Sequence, residues 1–581
     1  MHHVIKRFTV KNWINIGIIF ALMFIYVYLT MEIVGSIGVL TRATTDKNLD
    51  AIWRYGFYMI ICALVSSGIM VIVQYLASHT ASSIVTRLRD ELYEKVNSFA
   101  LQDISAFSTE SLITRTTNDI QNIHFTLFTA FRTVFLAPVT MVWSIALLIK
   151  NANASLTVVT GIWLFIMVAT VVILIVLLIP KYNEIQRLTD ALNVASRENL
   201  TGVRVVRAFN AETYQQKKFT AVNEVFTKLQ IFAGKAISVF TPIVMLVMNG
   251  LTLSILWLSA YLINGKDIEA AKAMFSATNA FVMLASQVVM SFILLVTLII
   301  IWPRANVSAK RVNEVLEHNV TIKDPEKPVK FKEKGTIEFK NVGFKYPGGD
   351  NEAVSNISFK VKQGETLALI GATGSGKTTV VNMIARMADC TSGEVIVGGV
   401  NVKDVTQEDL HKAIGYVPQK AFLFKGDIKG NLAFGNPELN LSDIREAARI
   451  ADADDFVCKK REGYDSDVVQ GGTNFSGGQK QRLCIARAVA LHPDILIFDD
   501  SFSALDYRTD KIVRANIEEA MPDTTRVIIA QRVGTIMNAD QIIVLDAGKI
   551  VGQGKHENLL RECPIYQEIA LSQMSREELG L

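Results

Sequence analysis

The chain has 581 residues and a formal net charge of +4 at pH 7. This length exceeds what a single hydrophobic core organises, so we expect at least two domains. The small net charge, without a basic stripe carrying interleaved aromatic residues, argues against nucleic-acid binding. The five cysteines are scattered and show no CxxC spacing, so neither a disulfide framework nor a cysteine metal site is expected.

The amino-terminal half contains apolar runs close to the roughly 20 residues that a membrane-spanning helix needs. Six spans are predicted, at 14–35, 56–77, 127–149, 155–179, 237–263 and 280–302. No small-residue cleavage site follows the first run, so we expect a membrane anchor and not a signal peptide. The remainder mixes short apolar strands with glycine-rich turns and charge. A multi-pass membrane domain fused to a soluble domain is therefore predicted.

Basic residues predict the orientation of the spans. Segment 181–235 is rich in Lys and Arg, whereas the connection between the third and fourth spans is only about Lys150 to Ala154. Basic connections stay preferentially on the cytoplasmic side of a membrane. We therefore expect a plasma-membrane protein with both termini in the cytoplasm.

The two inner connections, 78–126 and 180–236, are long, polar and nearly free of Pro and Gly, which predicts helices that continue beyond the membrane. Segments 108–119 and 199–209 interrupt them with capping residues or glycine. From spacing alone, ordinary loops are the favoured interpretation of these interruptions. The predicted domain boundaries are 1–310 for the membrane domain, 311–334 for a linker and 335–581 for the soluble domain.

A glycine loop stands between two apolar runs of the soluble half, 366–370 and 380–384. The loop reads Gly371-Ala372-Thr373-Gly374-Ser375-Gly376-Lys377-Thr378, with Thr379 next. Between a strand and a helix, its backbone N–H groups can cradle phosphates, Lys377 can neutralise their charge and the Thr378 hydroxyl can meet Mg²⁺. A glycine turn without a ligand is the alternative, and the full spacing argues against it.

A further apolar run, 495–498, ends in the acidic pair Asp499-Asp500. This pattern is typical of a buried parallel strand whose carboxyl end delivers charge to a ligand site. Asp499 suits a carboxylate that holds Mg²⁺. The next position, where a general base for water attack is expected, carries Asp500, which is one methylene shorter than Glu.

A third motif precedes an alanine-rich stretch that is predicted to be helical. It reads Phe475-Ser476-Gly477-Gly478-Gln479. The free N–H groups and the positive dipole end of a helix N-terminus make a second anion site. A nucleotide clamped between two copies, each giving one of the two phosphate-binding motifs, explains why one chain carries both.

With these collinear motifs, the whole chain resembles an exporter-type half-transporter of the ATP-binding cassette (ABC) family. The resemblance implies an α-helical membrane domain of six transmembrane helices (type I exporter, type IV ABC fold). This domain is fused to an α/β P-loop nucleotide-binding domain with a helical subdomain. The chain is then part of an ATP-hydrolysing translocase that uses ATP and Mg²⁺, and segments 108–119 and 199–209 resemble coupling regions.

The resemblance also assigns roles to single residues. Tyr346 looks like the aromatic that stacks on adenine, and Gln419 looks like the Q-loop residue that touches Mg²⁺ beside Thr378 and Asp499. Asp506 closes the D-loop Ser503-Ala504-Leu505-Asp506. Together with the signature motif 475–479, Asp506 belongs to the nucleotide of the other chain.

Three residues depart from the family pattern. Asp500 stands for the catalytic Glu and Gln531 for the switch His, and the loop before the signature carries Gln470 where Glu is usual. Withdrawing a carboxylate by about 1 Å can cost on the order of 10²-fold in rate, and an amide cannot shuttle a proton. We therefore expect a degenerate site that binds ATP and hydrolyses it poorly. Because the signature is intact, we also expect a heterodimer with a second, catalytically competent half-transporter that carries Glu and His.

The resemblance favours export of hydrophobic or amphipathic small molecules, of the multidrug type, across the lipid bilayer by alternating access. A lipid or peptide exporter of the same fold is one alternative. An ATP-sensing regulatory membrane subunit is another, although the intact signature argues against it. The polar residues Glu32, Asn249, Asn279 and Gln287 at membrane depth could line a substrate path, but interhelical hydrogen bonding is the favoured role for an isolated Asn or Gln.

Overall fold

The computed structural model describes residues 1–151 and 154–579. The described chain forms two compact units, each built from two stretches of sequence. The helical unit comprises Met1–Lys95 and Glu110–Glu317, and the α/β unit comprises Val96–Thr109 and the chain from His318 onward. The α/β unit therefore includes a segment that lies, in sequence, between two of the predicted membrane spans.

In the described residues, six long helices and the short α1, α5 and α8 make up the helical unit, and the short α4 belongs to the α/β unit. In chain order they are α1 (His2–Ile5), α2 (Val10–Thr45), α3 (Leu49–Asn97), α4 (Leu101–Phe107), α5 (Thr109–Thr114), α6 (Ile120–Asn151), α7 (Ala154–Thr201), α8 (Val203–Ala208), α9 (Glu212–Ile263) and α10 (Ile268–Leu316). A π-helical turn, Arg115–Asp119, joins α5 to α6.

Six helical stretches among the described residues are long and apolar enough to cross a membrane. They are Val10–Thr45, Leu49–Asn97, Thr109–Lys150, Ser155–Thr201, Glu212–Ile263 and Ile268–Leu316. Each predicted span lies within one of these stretches, so the prediction of six spanning helices is confirmed. The short connection predicted at Lys150 to Ala154 falls partly outside the described residues.

Small and polar residues bring the spanning helices together. A Cβ at Gly250 of α9 would stand 2.4 Å from the ring of Trp163 of α7, so glycine lets this ring lie against the neighbouring helix. The same ring donates from Nε1 to Ser254 Oγ at 3.1 Å. On α10, Asn279 Nδ2 donates to Thr41 Oγ1 of α2 at 3.4 Å, which is the interhelical role expected of an isolated Asn.

Both interruptions of the inner helices are present. Helix α8 lies within the predicted segment 199–209. At the other interruption, Ser108 has a left-handed φ of +59° that separates α4 from α5, and residues 109–119 are themselves helical. The isolated short helix is thus α4, just upstream of the predicted segment 108–119. Its start is fixed by Asp103, whose Oδ2 accepts from Ala100 N at 3.0 Å.

Asp103 also ties α4 to the chain that follows α10. Its side chain is 3% exposed and accepts from His318 Nε2 at 3.0 Å, from Thr321 N at 3.1 Å and from Thr321 Oγ1 at 2.5 Å. The imidazole of His318 packs edge-on against Phe99 and Phe107. Burial of the Asp103 carboxyl opposes its ionisation, but these hydrogen bonds outweigh burial and lower its pKa.

The α/β unit contains twelve strands and ten further α-helices in its described residues. The strands are β1 (Ile337–Phe344), β2 (Val354–Val361), β3 (Thr366–Ile370), β4 (Ser392–Val397), β5 (Val400–Asn401), β6 (Ile414–Val417), β7 (Gly426–Asp427), β8 (Asp467–Val468), β9 (Ile495–Asp499), β10 (Thr525–Ile529), β11 (Gln541–Asp546) and β12 (Lys549–Gly554). The helices are α11 (Lys377–Ile384), α12 (Gln407–Ala413), α13 (Ile428–Leu432), α14 (Leu441–Ile450), α15 (Asp454–Cys458), α16 (Gly477–Val489), α17 (Tyr507–Ala520), α18 (Val533–Ile536), α19 (His556–Glu562) and α20 (Pro564–Leu571).

A six-stranded sheet in the order β12-β11-β3-β10-β9-β6 forms the centre of this unit and is parallel except for β12. An antiparallel sheet, β2-β1-β4-β5, and the pair β7-β8 complete it. Every residue of β9 is buried, with Ile495 and Ile497 in one hydrophobic cluster and Leu496 and Phe498 in the other. Because side chains alternate along a strand, this pattern requires cover on both faces of the sheet.

Strand register brings the functional segments to one edge of the central sheet. Asp499 at the end of β9 pairs with Ile529 of β10, and Phe498 pairs with Val417 of β6. Since these strands are parallel to each other and to β3, the chain leaves all four at the same carboxyl edge. Ligands of open α/β sheets bind at this edge.

Candidate nucleotide site

The glycine loop leads from β3 into α11 at the carboxyl edge. Gly376 is the N-cap of α11 with a φ of +98°, and a Cβ there would lie 2.5 Å from Val354 Cγ1, so only glycine fits. The ammonium of Lys377 turns back over the loop and donates to Gly371 O at 2.9 Å and to Ala372 O at 2.8 Å. The positive charge of the Lys377 ammonium therefore lies beside the free N–H groups at the start of α11, as a phosphate site requires.

Asp499 ends β9 beside the glycine loop. Its Oδ1 accepts from Thr378 Oγ1 at 3.1 Å and its Oδ2 from Tyr416 OH at 3.2 Å. Burial, reinforced by the charge of Asp500, raises the pKa of Asp499, although hydrogen bonds from Thr378 and Tyr416 and the charge of Lys377 oppose this. The hydroxyl of Thr378 and the carboxylate of Asp499 are adjacent hard oxygen groups, so they fit a Mg²⁺ ion.

The neighbouring Asp500 accepts two side-chain amides on one oxygen. Gln419 Nε2 lies 3.2 Å and Gln531 Nε2 lies 2.8 Å from Asp500 Oδ2. Asp500 is 7% exposed and has a left-handed φ of +49°, and its N–H donates to Ile529 O. The three residues that the sequence assigns to the Q-loop, general-base and switch positions therefore meet at one carboxylate. With its nitrogen on Asp500, Gln419 keeps its amide oxygen for a metal.

The pKa of Lys377 reflects its place between these groups. Burial of the ammonium lowers its pKa, and the negative charges of Asp500 and Asp499 oppose this effect. The ionisation of Lys377 therefore depends on both neighbouring carboxylates. A bound phosphate would add negative charge beside Lys377 and favour its protonated form.

Tyr346 follows β1 and stands at the start of α11. Its hydroxyl hydrogen-bonds Thr379 Oγ1 at 3.1 Å, and its ring packs edge-on against Phe344 with a centroid distance of 4.8 Å. The ring remains half-exposed. An aromatic face is thus open to solvent next to the glycine loop, where an adenine base could stack.

The signature residues form a second group at the start of α16. Ser476 Oγ accepts from Gln479 N at 3.3 Å, and Gln479 Oε1 accepts from Ser476 N at 3.1 Å, which is a complete capping box. Phe475 is buried, with the Lys460 ammonium 4.3 Å above its ring. A Cβ at Gly477 would meet no atom of the described chain within 4 Å, and its φ lies outside the left-handed region. The chain's own fold therefore does not require glycine at this position.

The start of α16 lies beside the D-loop. A Cβ at Gly478 would stand 3.6 Å from Ala504 O. Further along this loop, Asp506 caps α17, where it accepts from Thr509 N at 3.0 Å and from Thr509 Oγ1 at 2.8 Å, and these bonds lower its pKa. The predicted site residues thus fall into two groups, one around Asp499 and Asp500 and one around the start of α16.

Two residues in contact with the first group were not predicted from the sequence. Tyr416 lies on β6, next to β9, so strand adjacency could have identified it. Gln573, beyond α20, donates from Nε2 to Gln531 O at 2.8 Å and accepts at Oε1 from Val533 N at 2.9 Å. No local sequence pattern marks Gln573.

Comparison with known proteins identifies the family. Residues 14–292 match the family described as ABC transporter transmembrane region, and residues 354–503 match the family described as ABC transporter. The chain belongs to the ABC transporters. It carries both regions in one polypeptide, so it is an ABC exporter half-transporter, and the predicted fold class is confirmed.

The relatives cover nearly the whole ABC half-transporter. An uncharacterized ABC transporter ATP-binding protein of Mycobacterium bovis is 36% identical over 517 residues, which cover 87% of this chain and 86% of the relative. An ATP-dependent lipid A-core flippase of Syntrophus aciditrophicus is 30% identical over 550 residues, or 92% and 88% of the two chains. A solved structure of a bacterial Atm1-family ABC exporter with ATP bound matches with a TM-score of 0.78 at 21% identity and covers 96% of this chain and 98% of its own, so it shares the fold.

Proposed function

We propose that this ABC half-transporter is one subunit of a heterodimeric, ATP-driven exporter. Its own glycine-loop site binds ATP with Mg²⁺ and hydrolyses it poorly, and its signature completes the competent site of a second half-transporter. One observation carries this proposal: Asp500 Oδ2 accepts both the Gln531 amide at 2.8 Å and the Gln419 amide at 3.2 Å.

The chemistry of Asp500 argues for binding without efficient hydrolysis. A general base has to reach a water molecule and accept its proton. Asp500 is one methylene shorter than Glu, and one of its oxygens already has two amide donors. Gln531 cannot replace a histidine, because a neutral amide neither carries positive charge nor transfers a proton at neutral pH. Both differences weaken hydrolysis and leave the binding groups in place.

The groups that bind nucleotide are complete. Lys377 and the N–H groups of the glycine loop would hold the phosphates, and Tyr346 would stack on the base. Thr378, Asp499 and the amide oxygen of Gln419 would hold Mg²⁺, which neutralises phosphate charge when bound. ATP retained in this way would keep the site loaded through successive transport cycles.

The second group supports a role in another chain's site. Gly477 is not required by the fold of its own chain, so its lack of a side chain is explained by a ligand that approaches from outside. The N–H groups at the start of α16 suit the phosphates of a partner's nucleotide, and Asp506 lies in the loop next to them. Two copies of this chain would pair two poor sites, so an active pump requires a competent partner.

The exported compounds are hydrophobic or amphipathic small molecules of the multidrug type, moved across the plasma membrane by alternating access, with both termini in the cytoplasm. Segments 108–119 and 199–209 act as coupling regions. A lipid exporter is the second candidate, and the flippase relative favours it over a peptide exporter. An ATP-sensing regulatory subunit is disfavoured, because a sensor gains little from an intact signature.

The test compares the purified chain alone with the chain paired to its candidate partner, both in lipid nanodiscs. We expect ATPase activity at least about tenfold higher in the pair, since only the pair contains a competent base. Equal turnover by the chain alone contradicts the proposal. Inverted vesicles then separate the functions: ATP-dependent uptake of a lipophilic dye indicates a multidrug exporter, movement of a fluorescent lipid indicates a lipid exporter, and neither indicates a regulator.

A further inference from the structure

The carboxyl-terminal segment contacts the switch position through one side chain. Gln573 Nε2 donates to Gln531 O at 2.8 Å, and Gln573 Oε1 accepts from Val533 N at 2.9 Å. The amide thus uses its donor and its acceptor on backbone groups two residues apart, as the peptide group of a neighbouring strand would. Both distances are those of good hydrogen bonds.

The element that carries Gln573 is firmly anchored. In α20, Tyr566 and Ala570 are fully buried, and the Tyr566 hydroxyl hydrogen-bonds His556 Nδ1 at 2.7 Å. Met574, directly after Gln573, packs against the hydrophobic core of the unit. Gln573 lies two residues beyond the end of α20 and is itself exposed, but the buried Ala570 before it and the partly buried Met574 after it hold this stretch against the unit.

The switch segment, residues 531–533, lacks a cap of its own. Helix α18 begins at Val533, and its N-cap residue Arg532 makes no side-chain capping hydrogen bond. The first N–H groups of a helix have no partner within the helix. Gln573 supplies an acceptor for one of them and a donor for the carbonyl of Gln531. It therefore holds the backbone on both sides of Arg532.

We infer that Gln573 is a positioning residue for the switch segment, through which the carboxyl-terminal helix sets how firmly this site retains ATP. The Gln531 backbone that Gln573 holds carries the side chain that donates to Asp500. Gln573 acts on the nucleotide through Gln531. This inference rests on the proposed function and adds to it that the Gln531 side chain, beside Asp500, faces the terminal phosphate of bound ATP.

The test uses the full-length chain in its assembled pair and measures photolabelling of this chain by 8-azido-ATP and by 8-azido-ADP. In Gln573→Ala, we expect the half-saturating 8-azido-ATP concentration to rise about three- to tenfold, the range set by one or two hydrogen bonds. Labelling by 8-azido-ADP stays unchanged, because ADP lacks the terminal phosphate. Gln573→Glu keeps an acceptor for Val533 N but places an oxygen against Gln531 O. Its half-saturating 8-azido-ATP concentration should therefore rise at least as much as that of Gln573→Ala.

Ser572→Ala is the matched control, because the Ser572 hydroxyl bonds Ile569 O of its own helix at 2.7 Å. It should leave labelling unchanged. A double-mutant cycle then tests the route: in a Gln531→Ala background, Gln573→Ala should add no further loss. Equal fold-losses in both backgrounds, or equal losses for ATP and ADP, overturn the inference. If Gln573→Ala fails to accumulate, Gln573→Glu carries the same cycle. The cycle reads binding alone, so it remains decisive even if the chain proves to hydrolyse ATP without a partner.

Discussion

Gln531 donates its side-chain amide to Asp500 across 2.8 Å, and the resemblance found in the sequence assigns these two positions to the switch His and the catalytic Glu. Two of the departures expected from the sequence are therefore in direct contact. A short carboxylate and a neutral amide satisfy each other here, and Gln419 adds a second donor to the same oxygen. This contact links two strand ends that the sequence separates by 31 residues.

Restoring both residues should restore hydrolysis at this site. The assay uses a pair whose partner has lost its own general base. In this pair, we expect Asp500→Glu with Gln531→His to raise the ATPase activity on the order of tenfold or more. The longer carboxylate can reach water, and the imidazole can carry charge. Asp500→Glu alone should give a smaller rise. Unchanged phosphate release by the double variant would show that this contact does not limit hydrolysis.

A substitution at Gly477 should lower the ATPase activity of the pair without lowering the stability of this chain. Gly477→Asp should lower the ATPase activity of the pair at least about tenfold, because a carboxylate would repel the partner's nucleotide. The chain itself should unfold at the same temperature or slightly higher, since an acidic residue in the first turn of a helix adds about 0.3–1 kcal/mol. Ser442→Asp, an exposed change in the first turn of α14, is the control. Loss of activity in both variants would argue against the signature role.

Tyr416 should set the acid limit of Mg²⁺-dependent ATP binding. Its hydroxyl opposes the rise in the pKa of Asp499 that burial causes. Tyr416→Phe is expected to raise this pKa further, so Asp499 becomes protonated, and loses its ability to hold Mg²⁺, at a higher pH. Photolabelling by 8-azido-ATP, with and without chelator, measures this limit. Tyr464→Phe is the control, because it removes a hydroxyl that donates to Asp454 and should leave the acid limit of ATP binding unchanged. The same shift in both variants would contradict this role of Tyr416.

The raised pKa of Asp499 also has a consequence for the protein without nucleotide. The folded state binds a proton at this carboxyl more tightly than the unfolded state does. The free energy of unfolding should therefore decrease as pH rises above the ordinary value of 3.8 and through the raised pKa. Asp499→Asn should remove this slope from the pH dependence of thermal unfolding.

Asp103 should stabilise the α/β unit. Asp103→Ala removes a buried acceptor from the partly exposed donors of His318 and Thr321 and also removes the cap of α4, which costs about 1–3 kcal/mol. Hydrogen exchange of residues 96–109 should then accelerate. Ser105→Ala is the control, because the Ser105 hydroxyl bonds Leu101 O of its own helix. Equal exchange in the Asp103→Ala variant and the unaltered chain would contradict this role.

The lowered pKa of Asp103 fixes the sign of its pH dependence. The ionised form is favoured by the fold, so its contribution is complete above the ordinary value of 3.8 and is lost as pH falls through the lowered pKa. Asp103→Asn should remove this part of the acid sensitivity. Chemical unfolding at a series of acidic pH values measures the difference between the two proteins.

The features that could be predicted are those with a local signal. A membrane-length apolar run or a glycine loop between a strand and a helix lies within a single stretch of sequence, so the six spans and the groups around Lys377 could be located. The contact of Gln419 and Gln531 with one oxygen of Asp500 could not be predicted, because it depends on β6, β9 and β10 being neighbours in the sheet. Likewise, the partners of Asp103 lie 215 and 218 residues away in the sequence, and no local pattern near Leu101 predicts these contacts. The contact of Gln573 with the switch segment spans 40 and 42 residues and uses backbone atoms that every residue type carries.

The contribution of α4 to the α/β unit bears on how this protein can be dissected. A soluble fragment that starts at His318 would lack Asp103 and both aromatic rings that enclose the imidazole. Such a fragment would retain His318 and Thr321, the residues that bind Asp103 of the missing helix. A synthetic peptide of residues 96–109 should then bind it in trans and raise its melting temperature, so that two pieces discontinuous in the gene reassemble as one folded body.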